Sequence, residues 1–219
     1  MVYELINYFN SFNFFEITAK LLDLISIKNG LRYKLEETKI CLFKKDYNKV
    51  IQLTNDIISH DKTQVEAYIL CGNAYFLQNN LFDSEEAYVK SVRYRPNNLD
   101  HFMLYRLGMC YIRRKSWEDA VVVFKKLIKE SYGFAWSYLG LAYTRLEKYA
   151  NAEEALNQAN LLDIDKADNW GYLTLFCLIT DRKPQALECL NELKKVKYED
   201  AGILSEIANI FYICFFTIE

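Results

Sequence analysis

The sequence has few of the residues that interrupt helices and build turns. It contains 7 glycines and 2 prolines among 219 residues, too few for the frequent turns of a typical all-β fold. At 52%, the content of hydrophobic residues is too high for a disordered chain. A folded and mainly helical protein is therefore expected.

An excess of positive charge is also lacking. The 27 lysines and arginines are balanced by 29 aspartates and glutamates, which gives a formal net charge of -2. Without surplus positive charge, the surface has no general attraction for a phosphate backbone. Nucleic acid is therefore not expected as a partner.

Paired cysteine motifs are absent from the sequence. Most of the 6 cysteines lie in apolar helical runs, where a free cysteine behaves as a small hydrophobic residue. This pattern predicts reduced cysteines, no metal site, and a cytosolic compartment or one continuous with the cytosol. The cysteines are Cys41, Cys71, Cys110, Cys177, Cys189 and Cys214.

Signals for secretion and membrane insertion are missing as well. Residues 1–10 carry Glu4 and no basic start, and no Asn-x-Ser/Thr sequon occurs. The apolar segment 210–218 is much shorter than the roughly 18 apolar residues that a spanning helix needs. We expect neither secretion nor insertion into a membrane.

Catalytic and cofactor-binding motifs are not found. The two histidines, His60 and His101, belong to no known pairing of a nucleophile with a base. Neither a GxxxxGK[ST] loop nor a GxGxxG turn is present to hold phosphates. Adjacent acidic residues such as Glu85 and Glu86 would point in different directions on a helix, which indicates a solvated face. The sequence predicts no enzyme activity and no cofactor.

What the sequence does contain is a repeat with a period near 34 residues. Small residues follow apolar ones at five places, in steps of 36, 32, 34 and 34 residues. An aromatic or apolar residue comes 3 positions after each of these small residues. A second small residue comes about 12 positions after four of the five. The marker residues are Gly72, Gly108, Gly140, Thr174 and Ala208. Two helices per repeat are indicated.

The small residues suggest how the two helices of a repeat pack. Apolar residues recur at intervals of three and four, as expected for helices with one apolar face. Gly140 on a first helix is expected to accept the packing of Ala152 on the second, so that the helices approach closely. The spacing predicts an antiparallel helical hairpin in each repeat.

These residues resemble the tetratricopeptide repeat (TPR) family, whose pattern of small and aromatic residues recurs every 34 residues. The resemblance implies an all-α solenoid of antiparallel helix pairs in a right-handed superhelix that binds proteins. One well-matched copy contains Tyr68, Cys71, Gly72, Tyr75, Ser84, Tyr88, Ser91 and Pro96. The predicted segments are a degenerate helix pair at 1–30, repeats at 31–64, 65–98, 99–132, 133–166 and 167–200, and a single helix at 201–219.

In a TPR array the concave face is lined mainly by the first helix of each repeat. An aromatic groove flanked by arginines there would suit an apolar peptide or helix with some acidic character. The alternative left open is that some of these aromatic residues form the core between repeats. The candidate partner-binding residues are Ile69, Asn73, Phe76, Phe102, Tyr105, Arg106, Met109, Arg113, Phe134, Tyr138 and Arg145.

Some TPR proteins act as chaperone adaptors by holding a C-terminal carboxylate with Lys, Asn and Arg. Asn73 and Arg106 match two of these residues. Ile69 and Phe134 stand where basic residues would be required, so the clamp is incomplete. A cytosolic chaperone adaptor therefore remains only an alternative.

The sequence also resembles a more specific family, the C-terminal TPR region of cilia- and flagella-associated protein seventy, over residues 31–195. The stretches that carry this resemblance are Leu104 to Tyr111, Ala159 to Asp163 and Asn169 to Leu175. This resemblance implies a scaffold module of an axonemal structural protein, bound to cytoskeletal components in the cilium or flagellum. The other hypothesis is dimerisation, because the last helix is apolar all round at Phe211, Tyr212, Ile213, Phe215 and Phe216 and such a surface seldom stays bare. The residues expected to pair between copies are Phe211, Phe215 and Phe216.

Overall fold

The computed structural model describes residues 5–6, 14–23, 30–96, 100–129, 132–163 and 165–216. Within these ranges the regular structure is helical throughout, which confirms the prediction of an all-α fold. The chain divides into two compact units, Met1–Arg114 and Lys115–Glu219. The division falls inside the predicted repeat at 99–132. Most of the first helix predicted for segment 1–30 lies outside the described residues.

Unit 1 is a run of helices in which each contacts the next along the chain. In addition α2 contacts α4, and α4 contacts α6, so the first helices of successive pairs lie side by side. The helices are α1 (Phe15–Asp23), α2 (Leu31–Phe43), α3 (Tyr47–His60), α4 (Val65–Leu77), α5 (Leu81–Tyr94) and α6 (His101–Arg113).

The helix α3 shows how the sequence pattern directs burial in unit 1. Val50, Thr54 and Ile57 are its buried residues, and their spacing of four and three places them on one face. The Thr54 hydroxyl donates to the Val50 carbonyl at 2.9 Å, so this polar group is paired inside the core. Full burial of Val50 and Ile57 contributes about 1.5 to 3 kcal/mol each.

Unit 2 repeats this arrangement. Neighbouring helices from α7 to α11 are in contact, and α10 contacts both α8 and α12. Fully buried side chains such as Phe124, Leu156 and Phe176 form its core. The helices are α7 (Trp117–Lys129), α8 (Ala135–Arg145), α9 (Tyr149–Leu162), α10 (Ala167–Ile179), α11 (Lys183–Leu193) and α12 (Ala201–Phe216).

At five connections between consecutive helices in the described residues, a residue other than glycine takes the left-handed conformation. At the end of α2, the Lys45 N–H donates to the Leu42 carbonyl and the Asp46 N–H to the Cys41 carbonyl, both at 3.0 Å. These two bonds form a Schellman motif and satisfy carbonyls at the helix end. The left-handed residues, with φ between 55° and 61°, are Lys45, Asn79, Lys115, Glu147 and Asp181.

Two glycines mark the closest approach between paired helices. A Cβ atom at Gly72 would lie 2.6 Å from Cε1 of Tyr88, and one at Gly140 would lie 2.5 Å from Cγ of Leu156. Separations below 3.0 Å are essentially never seen for real Cβ atoms. Both positions therefore require a residue without a side chain if the helices are to keep this spacing.

The partner of Gly140 corrects one sequence-based expectation. The atoms nearest to this glycine belong to Leu156, not to Ala152 as the repeat pattern suggested. Side chains on a helix lean towards its N-terminus, so Leu156 covers the turn that precedes its own Cα atom. Ala152 is fully buried elsewhere in the same hairpin.

We predict that Gly140→Leu lowers the free energy of unfolding by about 1 to 3 kcal/mol, because the added side chain overpacks the contact with Leu156. Urea denaturation followed by far-UV circular dichroism measures the change. Gly202→Leu is the control, since a Cβ atom there meets only a carboxylate oxygen of Asp200 at 3.2 Å.

Leu156→Ala alone should cost about 2 to 5 kcal/mol through the cavity that it leaves. The double variant, Gly140→Leu with Leu156→Ala, should lose less than the two single losses combined, because the new leucine fills that space. Strict additivity of the two changes would contradict the assigned contact.

Candidate partner-binding surface

In unit 1 the candidate residues lie on two first helices that contact each other, α4 and α6. None of them is fully buried, and the side chain of Phe102 is 80% exposed. The structure thus brings these residues to one pair of neighbouring helices. They are Ile69, Asn73 and Phe76 on α4, and Phe102, Tyr105, Arg106, Met109 and Arg113 on α6.

Two arginines of α6 share one aromatic ring of α4. The guanidinium carbon of Arg113 lies 4.9 Å from the centroid of Phe76, and that of Arg106 lies 5.9 Å from it. Each such contact contributes about 0.5 to 1 kcal/mol at an exposed site. Within the described part of the chain, neither Arg106 nor Arg113 forms an ion pair with a carboxylate. The positive charge is therefore held in place without an acidic partner.

The side chain of Asn73 is held by a hydrogen bond from a buried core residue. The buried Tyr88 hydroxyl donates to Oδ1 of Asn73 at 2.8 Å, which fixes the orientation of the carboxamide. Burial raises the pKa of Tyr88, while the nearby Arg106 opposes this rise. The tyrosine therefore remains protonated and able to donate. Asn73 and Arg106, the two residues shared with a chaperone clamp, thus both lie near Tyr88.

In unit 2 the candidate Tyr138 is part of the helix packing. Its side chain is only 6% exposed. The ring stacks on Phe124 with centroids 5.4 Å apart, and the hydroxyl donates to Oδ2 of Asp168 at 3.0 Å. The sequence left two alternatives for the aromatic residues of the groove: binding a partner, or packing in the core between repeats. Tyr138 packs in the core, and little of its ring is accessible to a partner. Phe134, just before α8, is exposed.

Arg145 in unit 2 is already engaged within the chain. Its two terminal nitrogens donate to the two carboxylate oxygens of Glu206 on α12, and its guanidinium lies 5.8 Å from the Trp117 ring. Its charge is therefore matched by an internal carboxylate. Sequence analysis missed this pair because the two residues are 61 positions apart. The sequence signal that could have pointed to this pair is that Glu206 is the one charged residue of α12.

We predict that Glu206→Gln lowers the free energy of unfolding by about 1 to 2 kcal/mol, because the half-buried Arg145 loses its charged acceptor. The matched control is Glu153→Gln, which removes the same two-bond geometry with Arg182 at a more exposed position. That change should cost about 0 to 1 kcal/mol. Urea denaturation of both variants measures the difference, and equal losses would contradict a structural role for the Arg145 pair.

The candidate self-association residues differ in exposure. Phe211 and Phe215 are partly buried and stack with centroids 4.3 Å apart, whereas Phe216 is 65% exposed. Tyr212 and Ile213, which the sequence analysis did not include in this set, are 62% and 60% exposed. The end of α12 therefore carries an apolar surface made mainly by Tyr212, Ile213 and Phe216.

The six cysteines are free thiols in the structure. Among the described residues, no group of three or more histidine, cysteine or acidic side chains is arranged to hold a metal ion. In the same part of the chain, every helix is too short or too polar to cross a membrane.

The paired helices, the close approach at glycines and the contact between successive first helices define a TPR-type solenoid. The solved structure of YrrB, described as a TPR protein with an unusual peptide-binding site, is similar with a TM-score of 0.70. The match covers 81% of this chain and 92% of YrrB at 14% sequence identity, which supports the shared fold. Residues 31–213 match the family described as Cilia and flagella-associated protein 70 C-terminal domain. The chain belongs to this family.

Two curated relatives carry the same family name. Cilia- and flagella-associated protein 70 of Homo sapiens is 30% identical over 177 residues, covering 80% of this chain and 16% of the human protein. The Macaca fascicularis protein is 37% identical over 108 residues, covering 49% of this chain and 11% of that protein. The chain thus spans a small part of their length. These matches confirm the resemblance proposed from the sequence, and the family match reaches beyond residue 195 into α12.

Proposed function

We propose that this chain is a protein-interaction scaffold of a ciliary or flagellar structural protein, and that α4 and α6 dock an acidic, partly apolar segment of an axonemal or other cytoskeletal partner. The family and the TPR fold support a scaffold role. The observation that carries the proposal is the pair of guanidinium groups, Arg106 and Arg113, held over the Phe76 ring with no carboxylate partner in the described residues.

The charge arrangement favours an acidic partner for a physical reason. A guanidinium resting on an aromatic ring loses little conformational freedom when it binds a carboxylate, because its position is already restricted. Phe102, which is largely exposed on the same helix, supplies apolar area of the kind that dominates binding energy at protein interfaces. A segment with acidic and apolar residues would satisfy both features.

The proposed role needs neither a catalytic group nor a cofactor. Binding by a preformed helical surface depends on shape, apolar area and charge. We infer that the protein is not an enzyme and that it acts in the cytoplasm of the cilium or flagellum, at the axoneme. The ciliary location is supported by the relatives' names.

Proximity labelling in ciliated cells tests this proposal with full-length protein. In the double variant Arg106→Glu and Arg113→Glu, we expect the labelling of axonemal partners to fall at least about tenfold, because like charges would face the acidic segment. Quantitative mass spectrometry of labelled proteins provides the measurement.

Arg93→Glu is the matched control, since Arg93 is an exposed arginine on the second helix α5 of the same unit. It should leave the labelling unchanged. If the double variant labels the same proteins as the unaltered chain, the docking surface is wrong. If the unaltered chain labels chaperones alone, the ciliary assignment is wrong.

The second candidate function, self-association through α12, is favoured by the exposure of Tyr212, Ile213 and Phe216. If it holds, light scattering should give the mass of a dimer, and Phe216→Ser should shift it towards the monomer because apolar area is lost from the interface. Leu161→Ser is the control, since Leu161 is exposed on α9 of the same unit. A monomer at all concentrations would exclude this function.

A further inference from the structure

Two cysteines of unit 2 lie against each other inside one helical hairpin. Cys177 is on α10 and Cys189 is on α11, and these two helices are in contact. The two thiols are hydrogen-bonded to each other. Both residues are buried, with exposed fractions of 4% and 7%. The hairpin therefore holds two sulfur atoms side by side in its interior.

The repeat register shows independently that these two positions face each other. One repeat earlier the same positions are Tyr143 and Ala155, which line one cavity of about 210 Å³. Three repeats earlier they are Tyr75 and Ala87, which line one cavity of about 230 Å³. These hairpins place a tyrosine opposite an alanine, whereas α10 and α11 have a cysteine at both positions. The contact between the two thiols thus follows from the packing of the repeat.

The hydrogen bond makes the two thiols chemically different. The Cys189 thiol donates to Sγ of Cys177, which lowers the pKa of Cys177, although burial opposes this change. The positive charge of the nearby Arg182 acts in the same direction as the hydrogen bond. The same hydrogen bond raises the pKa of Cys189. Because the thiolate is the form that attacks, Cys177 is the nucleophile of the pair and Cys189 the second thiol.

We propose that Cys177 and Cys189 form a redox-active pair, which hydrogen peroxide converts into a disulfide that joins α10 to α11. The structure, in which all six cysteines are free, corresponds to the reduced form. Hydrogen peroxide suits a buried site because it is small and uncharged. The proposal is independent of the docking surface on α4 and α6, so either can fail without the other.

The reaction has two steps. In the first step the Cys177 thiolate attacks one oxygen of hydrogen peroxide, the O–O bond breaks, and a sulfenic acid and a hydroxide ion form. The hydroxide then takes the proton of the Cys189 thiol and becomes water. In the second step the Cys189 thiolate attacks the sulfenic sulfur, the S–O bond breaks, and the departing hydroxide takes up the proton that Cys177 released. Both sulfurs are oxidised, and the peroxide is reduced to two molecules of water.

Mass spectrometry of the whole chain after treatment with hydrogen peroxide tests the site. Free thiols are blocked with iodoacetamide before digestion. Trypsin cleaves after Arg182, which lies between the two cysteines, so a disulfide would join two separate peptides. We expect this linked pair of peptides and a loss of about 2 Da from the intact chain, for two hydrogen atoms. Dithiothreitol should separate the pair again, because it exchanges with the disulfide.

Cys189→Ala tests the second step of the reaction. Alanine occupies the same position in the two hairpins with a tyrosine opposite, so this variant should fold. It should give no linked peptides, and dimedone should trap a sulfenic acid on Cys177. Cys110→Ser is the matched control, because Cys110 is buried on another helix and its thiol donates to the Ser84 hydroxyl at 3.5 Å. The linked peptides should form in this variant as they do in the unaltered chain.

The oxidised chain should also unfold at a higher urea concentration than the reduced chain, because the link restricts the unfolded state. An equal or lower midpoint would show that the folded hairpin does not accommodate the disulfide. The proposal is wrong if the folded chain gives no linked peptides, or gives them only after unfolding in urea. A covalent dimer on a non-reducing gel in place of the internal link would equally overturn it.

Discussion

Close contact between paired helices is the constraint on which the other features depend. At Gly72 and Gly140 the backbone of a first helix meets a bulky side chain of the second helix, with no room for a Cβ atom. This contact fixes the spacing and rotation of the two helices. Since each pair is short and cannot bury its apolar residues alone, the next pair must pack against it. The repetition along the chain is therefore a condition of stability.

The same constraint produces the candidate surface. When each first helix is packed against its second helix, successive first helices such as α4 and α6 lie side by side. The faces of α4 and α6 that are not used in this packing place Arg106 and Arg113 over the Phe76 ring. In unit 2 the corresponding groups are used differently, because Tyr138 is buried and Arg145 is paired with Glu206. Similar repeat positions therefore have different chemical roles in the two units.

The period of small and aromatic residues was enough to predict the helical class, the family resemblance and the presence of two helices per repeat. It could not identify Leu156 as the partner of Gly140, because the direction in which side chains lean is not part of a spacing pattern. It gave no sign of the left-handed turn residues, since a lysine or a glutamate there carries no turn signal comparable to glycine. The pairing of Arg145 with Glu206 depends on contacts between distant helices, which one sequence does not reveal.

The ion pair between Arg145 and Glu206 implies that a shortened form of unit 2 must keep α12 to remain stable. A shortened chain without α12 would retain a partly buried guanidinium with no counter-charge, and Ile203 and Ile207 would no longer cover their neighbours. The final helix is thus an integral part of the array's structure. The extension of the family match to residue 213, through most of that helix, agrees with this view.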